Sequence, residues 1–293
     1  MRPSAVRALD RLVTGEGPFG VAECPACEFG LTEPQLSEAE LGRYYAESYY
    51  EDFYEHSGKH RGLLARLRDR LRRRSAEKRN AAPPFDFAGR SRGRVLDVGC
   101  GSGELLEHFA GEGWRTYGID PGGAAVAAAE RRGAVGHEGT LGDHPWQGER
   151  FEAIVFQHSL EHVVEPVPTL EEARQLLAPG GVLAIAVPNW SSWQRRLFGN
   201  RWAMLDLPRH QQHFSPRALT RLAAGLGLEV DAVGTSSTAI ATAYSVHYLI
   251  AGHWTPGWKL WLSYALSAPL LPLMFLGDRL GGGDSCYVVM RNA

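Results

Sequence analysis

From Arg94 onward the chain alternates short apolar runs with longer stretches rich in Ala, Leu, Glu and Arg. The clearest runs are RVLDV (94–98), RTYGID (115–120), FEAIVF (151–156) and GVLAIAV (181–187). Runs that are apolar nearly throughout fit strands buried on both faces, and their alternation with helical stretches is the pattern of βαβ units. Leu226–Val233 and Cys286–Arg291 predict two further strands. The expected fold is therefore α/β, with a mostly parallel sheet and helices on both faces. Residues 1–58 are mixed and hold Cys24-Pro-Ala-Cys27 and the tyrosines Tyr44, Tyr45, Tyr49, Tyr50 and Tyr54, which reads as an N-terminal cap. In 59–79, Leu63, Leu64, Leu67 and Leu71 recur at helical spacing, and the Pro and Gly of 81–93 read as a linker.

Composition adds limits. At 293 residues with 44% hydrophobic and 22% charged, the chain is ordinary globular protein, neither disordered nor collagen-like. A formal charge of -2 argues against a nucleic-acid partner. That total hides ten Lys/Arg within 59–79, set against Asp69 and Glu77. This basic amphipathic helix either packs its leucines on the main domain or meets anionic lipid or phosphate. Four cysteines and an N-terminus lacking an apolar leader point to a reducing, cytoplasmic setting, with the inner membrane face as a peripheral option. Cys24 and Cys27 lack a second pair nearby, so they read as a degenerate metal module without bound zinc. Between Asp231 and Asp278 the sole formally charged residue is Lys259, and aromatics abound. Leu260–Gly277 reaches the lower length limit for a span, but Pro269 and Pro272 break it. Residues 238–283 thus predict an apolar helical insertion, either a cap over the acceptor pocket or a surface that puts Trp254, Trp258 and Trp261 near lipid.

The chemistry concentrates at Asp97-Val98-Gly99-Cys100-Gly101-Ser102-Gly103, a glycine turn between a buried strand and a helix. Glycines there let backbone N–H groups approach a ligand at a helix N-terminus. The dinucleotide fingerprint G-x-G-x-x-G fails because Glu104 follows Gly103, which disfavours a dehydrogenase.

The turn and the strands and helices beyond it resemble the class I S-adenosylmethionine-dependent methyltransferases, over roughly Arg94 to the C-terminus. The resemblance implies a Rossmann-like sheet of seven strands, mostly parallel, with S-adenosylmethionine as cofactor. Asp97, Gly99, Cys100, Gly101, Ser102 and Gly103 match the first motif, and Asp120 the acidic residue that accepts the ribose hydroxyls, with Pro121 beside it. Phe151–Phe156 resembles the fourth strand, with Gln157 at its end, and Leu177–Gly181 the turn before the fifth. Thr140 stands where many relatives hold the adenine with Asp, leaving adenine to the Leu141 backbone and apolar contacts.

Gln157–His162 and Pro208–Phe214 resemble the "lEHv" and "PRHxxHF" segments of a branch related to quinone-biosynthesis O-methyltransferases. Three readings fit these histidines. They stabilise local structure; or His158, His210 or His213 acts as a catalytic base; or His158, Glu161 and His162 hold a metal, as E-x-x-E-H does in some relatives, with His210 or His213 completing the shell. Trp190, Trp202 and Arg209 are the expected acceptor contacts. The resemblance implies O-methylation of a glycan, lipid-linked or quinone-like small molecule; a non-catalytic cofactor-binding assembly subunit is the alternative. Oligomeric state is open.

Overall fold

The computed structural model describes residues 1–45, 84–87, 89–255 and 258–292. The basic segment 59–79 and Tyr49, Tyr50 and Tyr54 lie outside them. Three N-terminal strands, β1 (Arg2–Ala8), β2 (Phe19–Glu23) and β3 (Gly30–Glu33), precede a one-turn helix α1 (Glu38–Leu41), which Ser37 and Glu40 close in a reciprocal capping box. The alternating half then begins with β4 (Arg94–Val98), α2 (Glu104–Gly111), β5 (Arg115–Asp120), α3 (Gly123–Glu130) and β6 (Val135–Glu138). It continues with β7 (Phe151–Gln157), α4 (Pro166–Leu176), β8 (Leu177–Pro188) and α5 (Trp193–Phe198). The two-residue strand β9 (Gln212–His213), α6 (Pro216–Gly225) and β10 (Glu229–Ser236) come next. Three helices, α7 (Ala239–Ala251), α8 (Trp258–Ser267) and α9 (Leu271–Arg279), fill the expected insertion before β11 (Ser285–Arg291).

The large sheet has seven strands in the order β10-β11-β8-β7-β4-β5-β6. Strands β4 to β8 run parallel, and β11 inserts antiparallel between β8 and β10. Val95, Leu96, Ile154, Val155, Leu183 and Ile185 are fully buried, as a sheet covered on both faces requires. On one face Leu96, Phe156 and Ile185 pack with α4 and α6 through Leu170 and Leu219; on the other, Val95, Val155 and Val182 pack with Phe109 of α2.

Several expectations need correction. Phe85 and Phe87, in the segment read as linker, are core residues, and Phe87 stacks on Phe109 at 5.4 Å. The sequence pattern also missed β6, a short, partly exposed edge strand, and the entire second sheet. That sheet is antiparallel, in the order β1-β2-β3-β9, so its last strand comes from the histidine-bearing segment near residue 212. In the insertion, Pro269 falls in the turn after α8 and Pro272 in the first turn of α9, breaking the apolar stretch where expected. No helix among the described residues is long and apolar enough to cross a membrane.

One buried ion group joins the N-terminal segment to the loop before β9. Arg209 has no exposed surface; its Nη2 donates to Asp10 Oδ1 at 2.8 Å and to Asp206 Oδ1 at 2.6 Å, and its Nη1 to the Tyr44 carbonyl at 3.0 Å. Asp10 also accepts the Leu12 amide, the Thr14 amide and the Thr14 hydroxyl. Burial opposes ionisation of both carboxyls, but Arg209 outweighs it and holds Asp10 and Asp206 below their ordinary values. Removing one partner strands a buried charge, which costs roughly 3–5 kcal/mol. Asp10→Asn should therefore destabilise the protein by that order in urea unfolding at pH 7. Carboxyls depressed by folding contribute stability that is complete above their unfolded value of about 3.9 and lost as pH falls through the lower folded values. The wild type should accordingly lose stability below about pH 4 more steeply than the variant.

Candidate active site at the switch point of the sheet

From β4 the chain builds outward through β5 and β6, and from β7 it builds the other way through β8. The crevice above the carboxyl ends of β4 and β7 is thus the point where strand order reverses, the place where open α/β sheets bind ligands. Two loops rise there: 99–103 after β4 and 158–162 after β7.

The first loop is shaped by glycine. Gly99 has φ +78°, and a Cβ on it would collide with Ser159 Cβ, so the two loops touch only because this residue lacks a side chain. Gly103 caps α2 at φ +76° with its backbone against Ala129. Gly99 and Cys100 donate to the Ile119 carbonyl, while Gly101 N–H reaches Asp120 Oδ2 at 3.0 Å and Gly122 N–H reaches Oδ1 at 2.8 Å. Asp97 is buried beneath, its Oδ1 without a hydrogen-bond partner. Burial, and then the Asp120 charge, raise Asp97 well above the usual carboxylate range; burial also raises Asp120 against its two amide donors. Two carboxyls raised by burial beside a glycine turn make a cradle for a polar, cationic ligand.

The second loop centres on Glu161, which is 1% exposed. Neither of its oxygens has a hydrogen-bond partner. His158 Nδ1 stands 3.4 Å and His210 Nε2 4.0 Å from Glu161 Oε1, and His210 Nε2 is also 3.9 Å from Asp206 Oδ2. The rings of His162 and His210 meet edge to face at 4.6 Å. His162 Nδ1 shares a 2.8 Å hydrogen bond with the Tyr45 hydroxyl, and His210 Nδ1 one of 3.0 Å with the Met204 carbonyl. His158 holds φ +53°, a conformation uncommon for a residue with a side chain, and its side chain is 35% exposed at the rim. Burial alone would raise the Glu161 carboxyl, but His158 first, then His162 and His210, hold it below its ordinary value. Burial, reinforced by His210, pushes His162 down to about 4. A half-exposed imidazole backed by an ionised, buried carboxylate can accept a proton; the same carboxylate with His162 and His210 can hold a cation, since one ligand atom from each lies within 4.8 Å of the others.

Residues 60–233, more than half of the chain, match the family model of the methyltransferase domain. The chain belongs to the class I S-adenosylmethionine-dependent methyltransferases. It is 32% identical over 148 residues to the ubiquinone biosynthesis O-methyltransferase of Rhodopseudomonas palustris (strain BisB5), covering 47% of this chain and 58% of that relative. With the protein of the same description from Cereibacter sphaeroides (strain KD131 / KCTC 12085) it shares 32% over 181 residues, 57% of this chain and 72% of that one. The chain thus spans a little over half the length of the first relative. Among solved structures, geranyl diphosphate C-methyltransferase from Streptomyces coelicolor A3(2) superposes with a TM-score of 0.53 at 16% identity, covering 80% of this chain and 86% of that one. A methyltransferase from Archaeoglobus fulgidus superposes at 0.51 and 19%, covering 78% and 100%. Both show the shared fold. The family's cofactor is S-adenosylmethionine.

In this methyltransferase the structure brings Asp97, the glycine loop, Asp120, Gln157 and His158 to one rim, with Ser102 half-buried and Pro121 exposed beside them. Thr140 is exposed and closes the turn 141–143 by a reciprocal box with Asp143, while the Leu141 side chain enters the core. Four other expectations are corrected. Arg209 is consumed by its two aspartates and cannot meet an acceptor. Trp190 and Trp202 are buried where β1 and β2 pack against α5, α7 and the loop before β9, with Arg195 stacked 4.1 Å above the Trp190 ring. His213 belongs to β9, where it pairs with Thr32 Oγ1 at 3.0 Å and lies against Trp190; burial, His210 and Arg195 keep it neutral. Of the expected metal ligands, Glu161, His162 and His210 come together, and His158 lies outside that group. Residues missed in the sequence are Tyr45, Asp206 and Asp284. The last is fully buried and pushed up to about 7 by burial, and its Oδ2 accepts from Gln194 Nε2 and the Thr238 amide, both at 3.3 Å. Only Asp206 carried a signal, being four residues before His210. His162 should stay neutral across pH 5.5–8: its ring carbon–proton NMR signals should hold still there, and movement with a midpoint near 6.5 would contradict the buried environment.

Proposed function

We propose that this methyltransferase transfers the cofactor methyl to a hydroxyl oxygen of a glycan, lipid-linked or quinone-like small molecule. The observation that carries this reading is the contact of the glycine loop with the loop of His158 and Glu161 through Gly99 and Ser159, which sets a cofactor cradle beside a proton acceptor. The residues fit S-adenosylmethionine: Asp97 has an orphaned buried oxygen, each Asp120 oxygen keeps a lone pair beyond its amide donor, and a side chain at Gly99 would fill the space between the two loops. When bound, the cofactor would supply an electrophilic methyl on a sulfonium. Asp120 would hold the ribose hydroxyls, and Asp97, Gln157, Thr140 and Leu141 would border the rest. His158 would take the acceptor hydroxyl proton on Nε2 and Glu161 would steady the resulting imidazolium through Nδ1, leaving the acceptor oxygen as a nucleophile. His210 and Asp206 fix Glu161 from behind.

A second reading is favoured by one observation: Glu161 is a buried carboxylate whose oxygens lack hydrogen-bond partners, flanked by neutral His162 and by His210. These three suit a divalent cation that would polarise an acceptor oxygen. The exposed apolar side chains of the insertion, among them Leu249, Leu266, Leu276 and Leu280, support an apolar acceptor and peripheral lipid contact.

Two experiments test these assignments. Asp120→Ala should weaken S-adenosylmethionine binding in calorimetry by about 1.5–3 kcal/mol, the worth of charge-assisted hydrogen bonds; Asp97→Asn should weaken it too, while raising the melting temperature of the ligand-free protein. Unchanged affinity in both would overturn the cradle. In the second, His158→Ala should cut turnover far more than cofactor affinity. Full activity in chelator-treated, metal-free protein would leave the base and remove the cation; activity restored only by added metal would do the reverse.

A further inference from the structure

A second concavity lies away from the switch point, where the second sheet meets the insertion. It is a cavity of about 500 Å³ lined by Arg7, Arg11, Asn200, Arg201 and His253, with Asp10 at its base. Asp10 is 1% exposed and its oxygens accept from Arg209, Leu12 and Thr14, so none of its hydrogen bonds is made to the cavity's own arginines. No salt bridge to Arg7, Arg11 or Arg201 occurs among the described residues. The three guanidiniums are nonetheless held in place. Arg201 Nη1 donates to the carbonyls of Tyr248 and Gly252 at the end of α7, both at 3.1 Å. Arg11 lies 5.7 Å over the Tyr248 ring, and Arg7 Nη1 donates to the Val6 carbonyl at 2.9 Å. Burial, and then repulsion from Arg201, push Arg11 below its ordinary value, so like charges face one another at an energetic cost. Anchored, unneutralised guanidiniums around a concavity are preorganised to clasp a multiply charged oxyanion.

We propose that this cavity binds a phosphate or diphosphate group. Arg11 and the unbonded N–H groups of Arg201 grip its oxygens, with Arg7 and His253 at the mouth. The side chains of Leu249 and Ile250, 57% and 40% exposed, end α7 next to Gly252 and His253 and would accept an apolar chain attached to that group. A narrower hollow shares Leu9 and Arg11 with the cavity and reaches Trp202 and Asp206, and Asp206 touches His210. A role for the group as a handle on the acceptor rests on the methyl-transfer reading; phosphate binding itself does not.

The test uses the full chain and two probes at low ionic strength. Inorganic pyrophosphate should bind with one-to-one stoichiometry in calorimetry, and Arg7→Gln/Arg11→Gln should weaken it by about tenfold or more, since charge-assisted bonds are lost. Circular dichroism and S-adenosylmethionine affinity of the double variant should match the wild type, separating a failed anion site from a failed cofactor cradle. Phosphatidylcholine vesicles with and without phosphatidic acid supply the second arm. Retention on the acidic vesicles alone, lost in the double variant, assigns the phosphate to a lipid; loss of pyrophosphate binding without vesicle retention assigns it to a small molecule. If neither probe binds, or both bind the double variant as they bind the wild type, the proposal is wrong.

Discussion

A guanidinium sealed from water at the centre of the molecule must be matched by charge, and that requirement organises much of what surrounds Arg209. Its partners come from three places: Asp10 after β1, the Tyr44 carbonyl after α1, and Asp206 in the loop before β9. Each gives up hydration, so the group adds little net stability against an apolar replacement, but removing one member is costly. The N-terminal strands are therefore tied to the larger domain by more than apolar contact. Asp206, fixed by Arg209, stands against His210, and His210 stands against Glu161. The second sheet thereby positions groups in the candidate active site, and β9 is the strand through which it does so.

The switch point brings the opposite electrostatic problem. Asp97 and Asp120 are raised by burial and among the described residues neither has a cationic partner, whereas Glu161 is depressed by the histidines around it. Carboxyls whose environments push them apart mark different tasks. The first pair awaits positive charge from a ligand; the third is already ionised and able to support an imidazolium or a cation. Strain is concentrated here too, in the left-handed backbone of His158 and in the close approach of Gly99 to Ser159.

The insertion joins these features to the surface. Its helices are short and leave many leucines in solvent, but polar links anchor them. Ser245 Oγ accepts the Ala203 amide, Thr242 bonds Gln194, and Ser237 bonds Asp278. Trp254, half-buried, packs edge-on against Tyr244 and His247. The apolar outer face and the arginine-lined cavity meet at the end of α7, so acceptor recognition can combine an apolar and an anionic element.

The parallel sheet, the glycine loop and Asp120 were legible in the chain because each is local: continuous apolar runs, a turn that needs glycine, and an acidic residue closing a strand. The helical insertion and its proline breaks were legible for the same reason. Local pattern could not reveal the second sheet, since its strands are short, partly exposed and completed by a two-residue strand almost 180 positions after β3. Nor could it sort the histidines and tryptophans. His213 and His210 are three residues apart, but strand pairing turns one into the interface with Thr32 while the loop before it turns the other toward Glu161. Arg209 looked like an acceptor contact until its aspartates, one of them 199 residues away, were in place. Sequence determined which chemistry the chain could carry; tertiary structure decided which of those groups are buried in pairs and which remain free to act.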